Sequence, residues 1–227
     1  MCGRFVSTQQ PEALAAFFGA TFEGEPLSTS HNVAPTNDVY GVVQGADDLR
    51  HIEVFQWGLV PSWAKDVKIG SKMINARAET VGEKPSFKPL LRRHRVILPM
   101  DGFYEWQATE QRAKTPMFIH RADGDLLAVA GLWTTWRDPA MGSEAPWLHS
   151  CTLITTAANA TMAPVHDRMP VILERDDWAT WLDRSVDDPA KLLRLLIPAA
   201  DDVLTMHAVS TAVNNVRNKG SELVDPL

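Results

Sequence analysis

Cysteine is scarce in this chain: 227 residues carry two, Cys2 and Cys151. Two are too few for a disulfide framework, which points to a reducing, cytoplasmic setting. No CxxC, HxxH or HExxH spacing occurs among those cysteines and the seven histidines. No metal site is therefore expected, and no cofactor. Long hydrophobic runs are also missing. No apolar stretch approaches the ~18 residues that a membrane span needs. The first residues lack the charged-then-apolar layout of a secretory signal. Positive charge is in deficit, with a net charge of −6, which argues against a generic nucleic-acid coat protein. There is no internal repeat, low-complexity tract or convincing linker, so one domain over residues 1–227 is expected.

What is present is an ordinary globular composition, 45% hydrophobic and 22% charged. The cations are unevenly spread. Lys84, Lys88, Arg92, Arg93 and Arg95 crowd one stretch, with Arg4, Lys65, Lys68, Lys72 and Arg77 upstream. A basic face on an acidic protein and a set of solvated helix faces are both compatible with that distribution. PEALAAFF (11–18) reads as a helix opened by proline and closed by Gly19. Residues 87–94, 157–162, 175–183 and 189–196 also read as helices. Strands are expected at 38–44, 50–57, 95–106 (interrupted by Pro99 and Gly102), 116–120, 126–133, 147–155, 169–173 and 203–209. The span 134–146 reads as a surface loop. Strands without regular crossover helices imply an α+β fold, with a largely antiparallel sheet or barrel.

Several stretches do not read as core: CGRF, HNVAPT, WGLVPSWAKD, INARAET, DGFYEW, APVHDRMP and VNNVRNKG. Taken singly, each has a structural reading. Glu105 fits a surface strand, His166 a loop hydrogen bond, the tryptophans a lid over the core, and Asn75 a helix cap. Cys151, inside the apolar strand CTLITT, reads as a buried core thiol. The N-terminus has more specific chemistry. Loss of Met1 would leave Cys2 with a free α-amine and a thiol. An α-amine has a pKa near ~7.7 against ~10.4 for lysine, so far more of it is neutral and nucleophilic at pH 7. Once it forms an imine with an aldehyde, the thiol can close a five-membered thiazolidine. The alternative use is as a thiol nucleophile with the amine as base.

MCGRF, NVAP, WGLVPSW, INARAET, FYEW, HDRMP and NNVRNKG, in that order from residue 2 to about 222, together resemble the SRAP (SOS-response-associated peptidase) family. That resemblance implies covalent crosslinking to abasic sites in single-stranded DNA, in a monomeric protein that needs no metal, cofactor or membrane. It implies that Cys2 attacks C1′ of the ring-opened sugar and ends as a thiazolidine. Asn75 would hold the cysteine, Glu105 would move protons, and His166 would stabilise the departing sugar oxygen. Arg4, Arg77 and Arg168 would bind flanking phosphates, while Trp63 and Trp106 stack on or wedge against bases. Ala64 follows Trp63 where some relatives carry a second aromatic. The implied fold is α+β, an open, largely antiparallel barrel-like core with helices outside and a positive cleft over the N-terminus. The peptidase label would extend no further than the protein's own N-terminus.

These roles agree with general chemistry. One carboxyl can serve as both the acid and the base that imine formation requires. Arginine forks suit phosphates, and aromatic faces bind bases of any identity. Two other readings stand beside this one. An N-terminal Cys-Gly also opens glutamine amidotransferases of the N-terminal-nucleophile type, although no glutamine pocket or synthase domain is recognisable here. A non-covalent single-strand binding module would use the tryptophans and arginines, but would leave Cys2, Glu105 and His166 without a role.

Overall fold

A computed structural model describes residues 2–108 and 114–227. The expectation about Met1 therefore falls outside the described residues. In chain order the strands are β1 (Phe5–Ser7), β2 (Ala20–Phe22), β3 (Ser30–Val33), β4 (Asp38–Gln44), β5 (Arg50–Trp57), β6 (Asn75–Arg77), β7 (Arg95–Met100), β8 (Gly102–Ala108), β9 (Lys114–Arg121), β10 (Leu127–Trp136), β11 (Leu148–Ala157), β12 (Arg168–Pro170) and β13 (Leu204–Ala208). The helices are α1 (Pro11–Phe18), α2 (Ala78–Val81), α3 (Lys88–Arg93), α4 (Arg175–Leu182) and α5 (Pro189–Leu193).

The larger sheet runs β12-β11-β10-β7-β4-β5-β2, and β11 also pairs in parallel with β5 through Ser150↔Gln56 and Cys151↔Trp57. That extra pairing joins β11, β10, β7, β4 and β5 into a closed, mixed five-stranded barrel. The α+β class and largely antiparallel barrel-like core are those expected, and the parallel contact supplies the closure. Closure explains why these strands are apolar on both faces: one side fills the barrel and the other packs under helices. The second sheet, β13-β9-β8-β1-β3, is antiparallel and carries the N-terminal segment between β8 and β3.

Local chemistry accounts for most element boundaries. In α1, Pro11 occupies the first turn, Leu14 and Phe18 bury one face, and Gly19 takes the left-handed conformation (φ 61°) that ends the helix. The expected strand 95–106 is two strands in two different sheets, broken at Asp101. Pro99 lies inside β7, and Gly102 begins β8 where a Cβ would meet the Ile119 carbonyl at 2.6 Å. Residues 158–159 have no regular structure and 160–165 are turns, in place of the helix expected at 157–162, because Asn159 ties that segment to the Ala199 and Ala200 carbonyls. Thr134–Trp136 extend β10 instead of opening the surface loop. Arg95 is buried and donates to the carbonyls of Leu91 (2.8 Å), Asp183 (2.5 Å), Arg92 and Trp181, so one guanidinium gathers the C-terminal ends of α3 and α4. That burial lowers its pKa to about 10.

Candidate functional site

The N-terminal segment enters the molecule beside β8: the Tyr104 N–H donates to the Arg4 carbonyl at 2.9 Å, and Phe5 pairs with Phe103. Cys2 is buried, 1% exposed, against the barrel-side apolar cluster that includes Phe5, Trp57 and Leu153. Its carbonyl accepts a 2.8 Å hydrogen bond from Asn75 Nδ2. Asn75 is not the cap of α2, whose N-cap position is Arg77. Instead it begins β6, pairing in parallel with β11 opposite Leu153. The short polar strand exists because β11 templates it.

Glu105 lies on β8 opposite Met117, 4% exposed, and its carboxylate interacts electrostatically with the Cys2 thiol. Burial first, and then this neighbouring negative charge, push the thiol well above its ordinary value. Cys2 thus rests as a thiol. A substantial thiolate population, which would have made it a ready nucleophile, is not what the surroundings favour. Gln107 lies two residues along β8, on the same side of the strand as Glu105. Its Nε2 donates to the Pro164 carbonyl at 3.2 Å, which draws the 158–167 segment to this face.

His166 closes that segment. Asn159 Oδ1 accepts from the Met162 N–H at 2.9 Å, and the His166 N–H donates to the Met162 carbonyl at 3.0 Å. His166 Nδ1 lies 3.0 Å from the Arg168 N–H and 2.8 Å from Asp167 Oδ1. One nitrogen cannot accept the first and donate to the second at once. Asp167 is 86% exposed and free to turn away, whereas the backbone N–H is fixed, so the acceptor arrangement is the better-defined one.

The three arginines differ. Arg4 is half-buried and donates to Asn32 Oδ1 (2.7 Å) and the Val213 carbonyl (2.9 Å), with its guanidinium 5.8 Å from the Trp106 ring centre. Arg168 makes a two-pronged pair with Glu79 at 2.7 and 2.9 Å and donates to the Thr155 carbonyl at 2.6 Å. Arg77, at the end of β6, is the exposed one of the three. Trp63 is 62% exposed at the tip of the WGLVPSW turn, while Trp57 at its other end is fully buried and donates to the Ile74 carbonyl at 3.0 Å. Gly58 (φ 128°) permits that turn, since a Cβ there would meet the Gly70 carbonyl at 2.6 Å. The indole N–H of Trp106 donates to Asn214 Oδ1 at 2.7 Å.

Sequence reasoning missed the residue that ties several of these together. Asn32 is fully buried, and its Nδ2 donates to the carbonyls of Val213 (3.1 Å), Asn215 (3.1 Å) and Asn218 (3.0 Å), while its Oδ1 accepts from Arg4. Lys219 donates to the Asn32 carbonyl. The HNVAPT and VNNVRNKG stretches are therefore one structure, a tail wrapped on a buried amide beside Arg4 and Trp106. Both looked too polar for a core. A polar residue just ahead of an apolar-Pro turn was the only available signal. No group of three or more His, Cys, Asp or Glu suited to a metal occurs among the described residues, and no helix there is long and apolar enough to cross a membrane.

A family model described as SOS response associated peptidase (SRAP) matches residues 1–216. The chain is 41% identical over 228 residues to the abasic site processing protein YoqW of Bacillus subtilis (strain 168), covering 99% of each. It is 32% identical over 236 residues to the abasic site processing protein YedK of Escherichia coli (strain K12), covering 100% of each. A crystal structure of a protein from Bacteroides thetaiotaomicron superposes with a TM-score of 0.87 at 24% identity over 100% of both chains, a likeness of fold.

Proposed function

The chain belongs to the SOS response associated peptidase (SRAP) family, and from that premise we propose that it captures abasic sites in single-stranded DNA as a covalent adduct of Cys2. Loss of Met1 frees the Cys2 amine. The amine adds to C1′ of the ring-opened sugar, the carbinolamine loses water, and the thiol adds across the resulting imine to close a thiazolidine. The thiol proton passes to a base and the imine nitrogen gains a proton, so no oxidant or reductant is needed.

The observation that carries this reading is the pairing of two contacts on one residue. Asn75 holds the Cys2 carbonyl at 2.8 Å, and the buried Glu105 carboxylate lies close enough to raise the thiol's pKa. A thiol held protonated suits a sequence in which the amine attacks first and sulfur follows, with Glu105 as proton shuttle. It suits a thiol-first amidotransferase less well, since that nucleophile is a thiolate. His166 stabilises the ring oxygen as the sugar opens. Exposed Arg77 contacts a flanking phosphate, and Arg4 and Arg168 hold the surrounding walls while adding positive potential. Trp63 and Trp106 stack on bases. The protein acts as a cytoplasmic monomer with one domain over 1–227, and its peptidase step is confined to releasing Met1.

The test is incubation with an oligonucleotide bearing one abasic site, followed by a denaturing gel. A heat-stable shifted band is expected from protein whose mass confirms loss of Met1, and little from a variant with a residue inserted between Met1 and Cys2. Equal crosslinking by that variant would refute the N-terminal chemistry.

A further inference from the structure

A second exposed tryptophan stands outside the site described above. Trp147 is 58% exposed, and the Arg137 guanidinium lies 4.2 Å from the centre of its ring. Arg137 is itself held by donation to the Ser143 carbonyl. One face of the indole is thus covered by a cation and fixed in place, which leaves its exposed surface for another flat group. The pair is tied to Trp63 through direct contacts. Trp136, next to Arg137, donates its indole N–H to the Ala64 carbonyl at 2.8 Å, pairs with Leu148 across β10 and β11, and packs with Val60 and Ala64. Ala64 and Leu148, the chain neighbours of Trp63 and Trp147, thus meet at Trp136 in one small apolar cluster.

Beside Trp63 runs a groove of about 480 Å³ lined by Trp63, Lys65, Lys68, Ile69 and Lys72, with Asp66 among them. Asp66 is engaged locally, accepting from the Lys68 N–H at 2.9 Å. The groove carries three cations against that one anion. Asp138 and Glu144 lie in the Arg137 loop.

Strand β11 gives the scale. Asn75, which holds Cys2, sits opposite Leu153, and Trp147 immediately precedes Leu148. Six residue steps along an extended strand span about 20 Å. That corresponds to about six nucleotides at the 3.4 Å spacing of a stacked strand, and fewer when the strand is stretched. In the other direction along β11 lie Arg77, opposite Thr155, and Arg168, opposite Ala157.

We propose that the Arg137–Trp147 pair is a second base-stacking platform, which continues the single-strand path from Cys2 through Trp63 and the lysine groove on one flank of the lesion. The proposal rests on the single-stranded DNA reading and adds to it a one-sided footprint. Alternating aromatic faces and cations are the chemistry that a single strand requires and that a protein partner's apolar patch does not.

The experiment measures equilibrium binding of single strands carrying a tetrahydrofuran abasic analogue, which has no aldehyde and cannot crosslink. Each flank is lengthened separately from two to ten nucleotides. Wild type should gain affinity on one flank only, with a step at about four to six nucleotides. Trp147→Ala should lose that gain, by about 5- to 150-fold as for a stacked base, while matching wild type on the short-flank strand. Trp147→Phe should keep most of it. Arg137→Ala should flatten the salt dependence on the long strand alone. Flank dependence in Trp147→Ala equal to wild type would overturn the proposal. So would an equal loss on short and long strands, which would mean that Trp147 acts through the Trp63 turn. Wild type that binds neither length would refute the single-strand reading itself, and a wild type that binds both equally would refute only the platform.

Discussion

Replacing Asn32 with alanine should disturb the site from a position that no ligand touches. Its amide nitrogen has two protons for three carbonyl acceptors, those of Val213, Asn215 and Asn218, so one proton is shared. Two neutral hydrogen bonds at about 1 kcal/mol each, plus one from the charged Arg4 at about 1.5–3 kcal/mol, total about 3.5–5 kcal/mol. The lower end is expected, because Arg4 keeps the Val213 carbonyl at 2.9 Å and is only half-buried. For a chain of this length about 3.5 kcal/mol is a fall in Tm of about 10 °C. Asn32→Asp is the sharper variant. It keeps the acceptor for Arg4 but turns an oxygen toward three carbonyl oxygens, and should cost at least as much as alanine. The assay pairs thermal melting with the rate of adduct formation measured below the melting range. Both variants should also slow adduct formation, since Arg4 and the Asn214-anchored Trp106 lose their common support. An Asn32→Asp protein with unchanged Tm and rate would refute the hydrogen-bond assignment and the claim that the tail braces the site.

Glu105→Gln keeps the side chain's shape but cannot exchange a proton, so crosslinking should slow by about 10²-fold with little change in DNA affinity. An unchanged single-turnover rate would reduce Glu105 to a structural strand residue. Arg77→Ala should weaken binding across sequences and lower the salt slope by about 0.7, the value for one phosphate on a single strand. The same substitution with an unchanged slope would remove Arg77 from the interface. Arg168 holds the Glu79 carboxyl below its ordinary range, chiefly through their hydrogen bonds. The pair's stabilising share is therefore full above about pH 4.3 and is lost as pH falls through the lower folded-state value. Glu79 is half-exposed, so the effect is under about 1 kcal/mol. Denaturation midpoints of wild type and Glu79→Gln should converge in acid, and a constant gap from pH 6 to pH 2 would contradict that.

Legibility followed the physical origin of each feature. β4 and β5 were readable to the residue, because β-branched and aromatic residues between flanking turn residues act locally. α1 was equally readable from Pro11 and Gly19. β6 was not, since Asn75, Ala76 and Arg77 become a strand only because β11 lies alongside. The break at Asp101 hid a change of sheet that no local pattern encodes. In the site, Cys2 stood out by residue chemistry and Glu105 by its place in the FYEW motif, but the sequence could not show that burial, with Glu105 nearby, keeps the thiol protonated. Arg4 and Arg168 looked alike as phosphate ligands. Only the structure shows one committed to Asn32 and the other to Glu79. Asn32 and Gln107 went unnoticed because buried amides gain meaning from the carbonyls around them.

The central claim is that the amine and thiol of Cys2 together make the adduct. Its most direct measurement is the intact mass of wild type and Cys2→Ala after incubation with an abasic oligonucleotide, each with and without borohydride. Wild type should gain the mass of the strand less one water and keep it through heating without reductant. Cys2→Ala retains the amine and should give a strand-bearing mass only when borohydride reduces the imine, with some cleaved strand beside it. A stable, unreduced adduct on Cys2→Ala would place the bond on another residue and contradict the account.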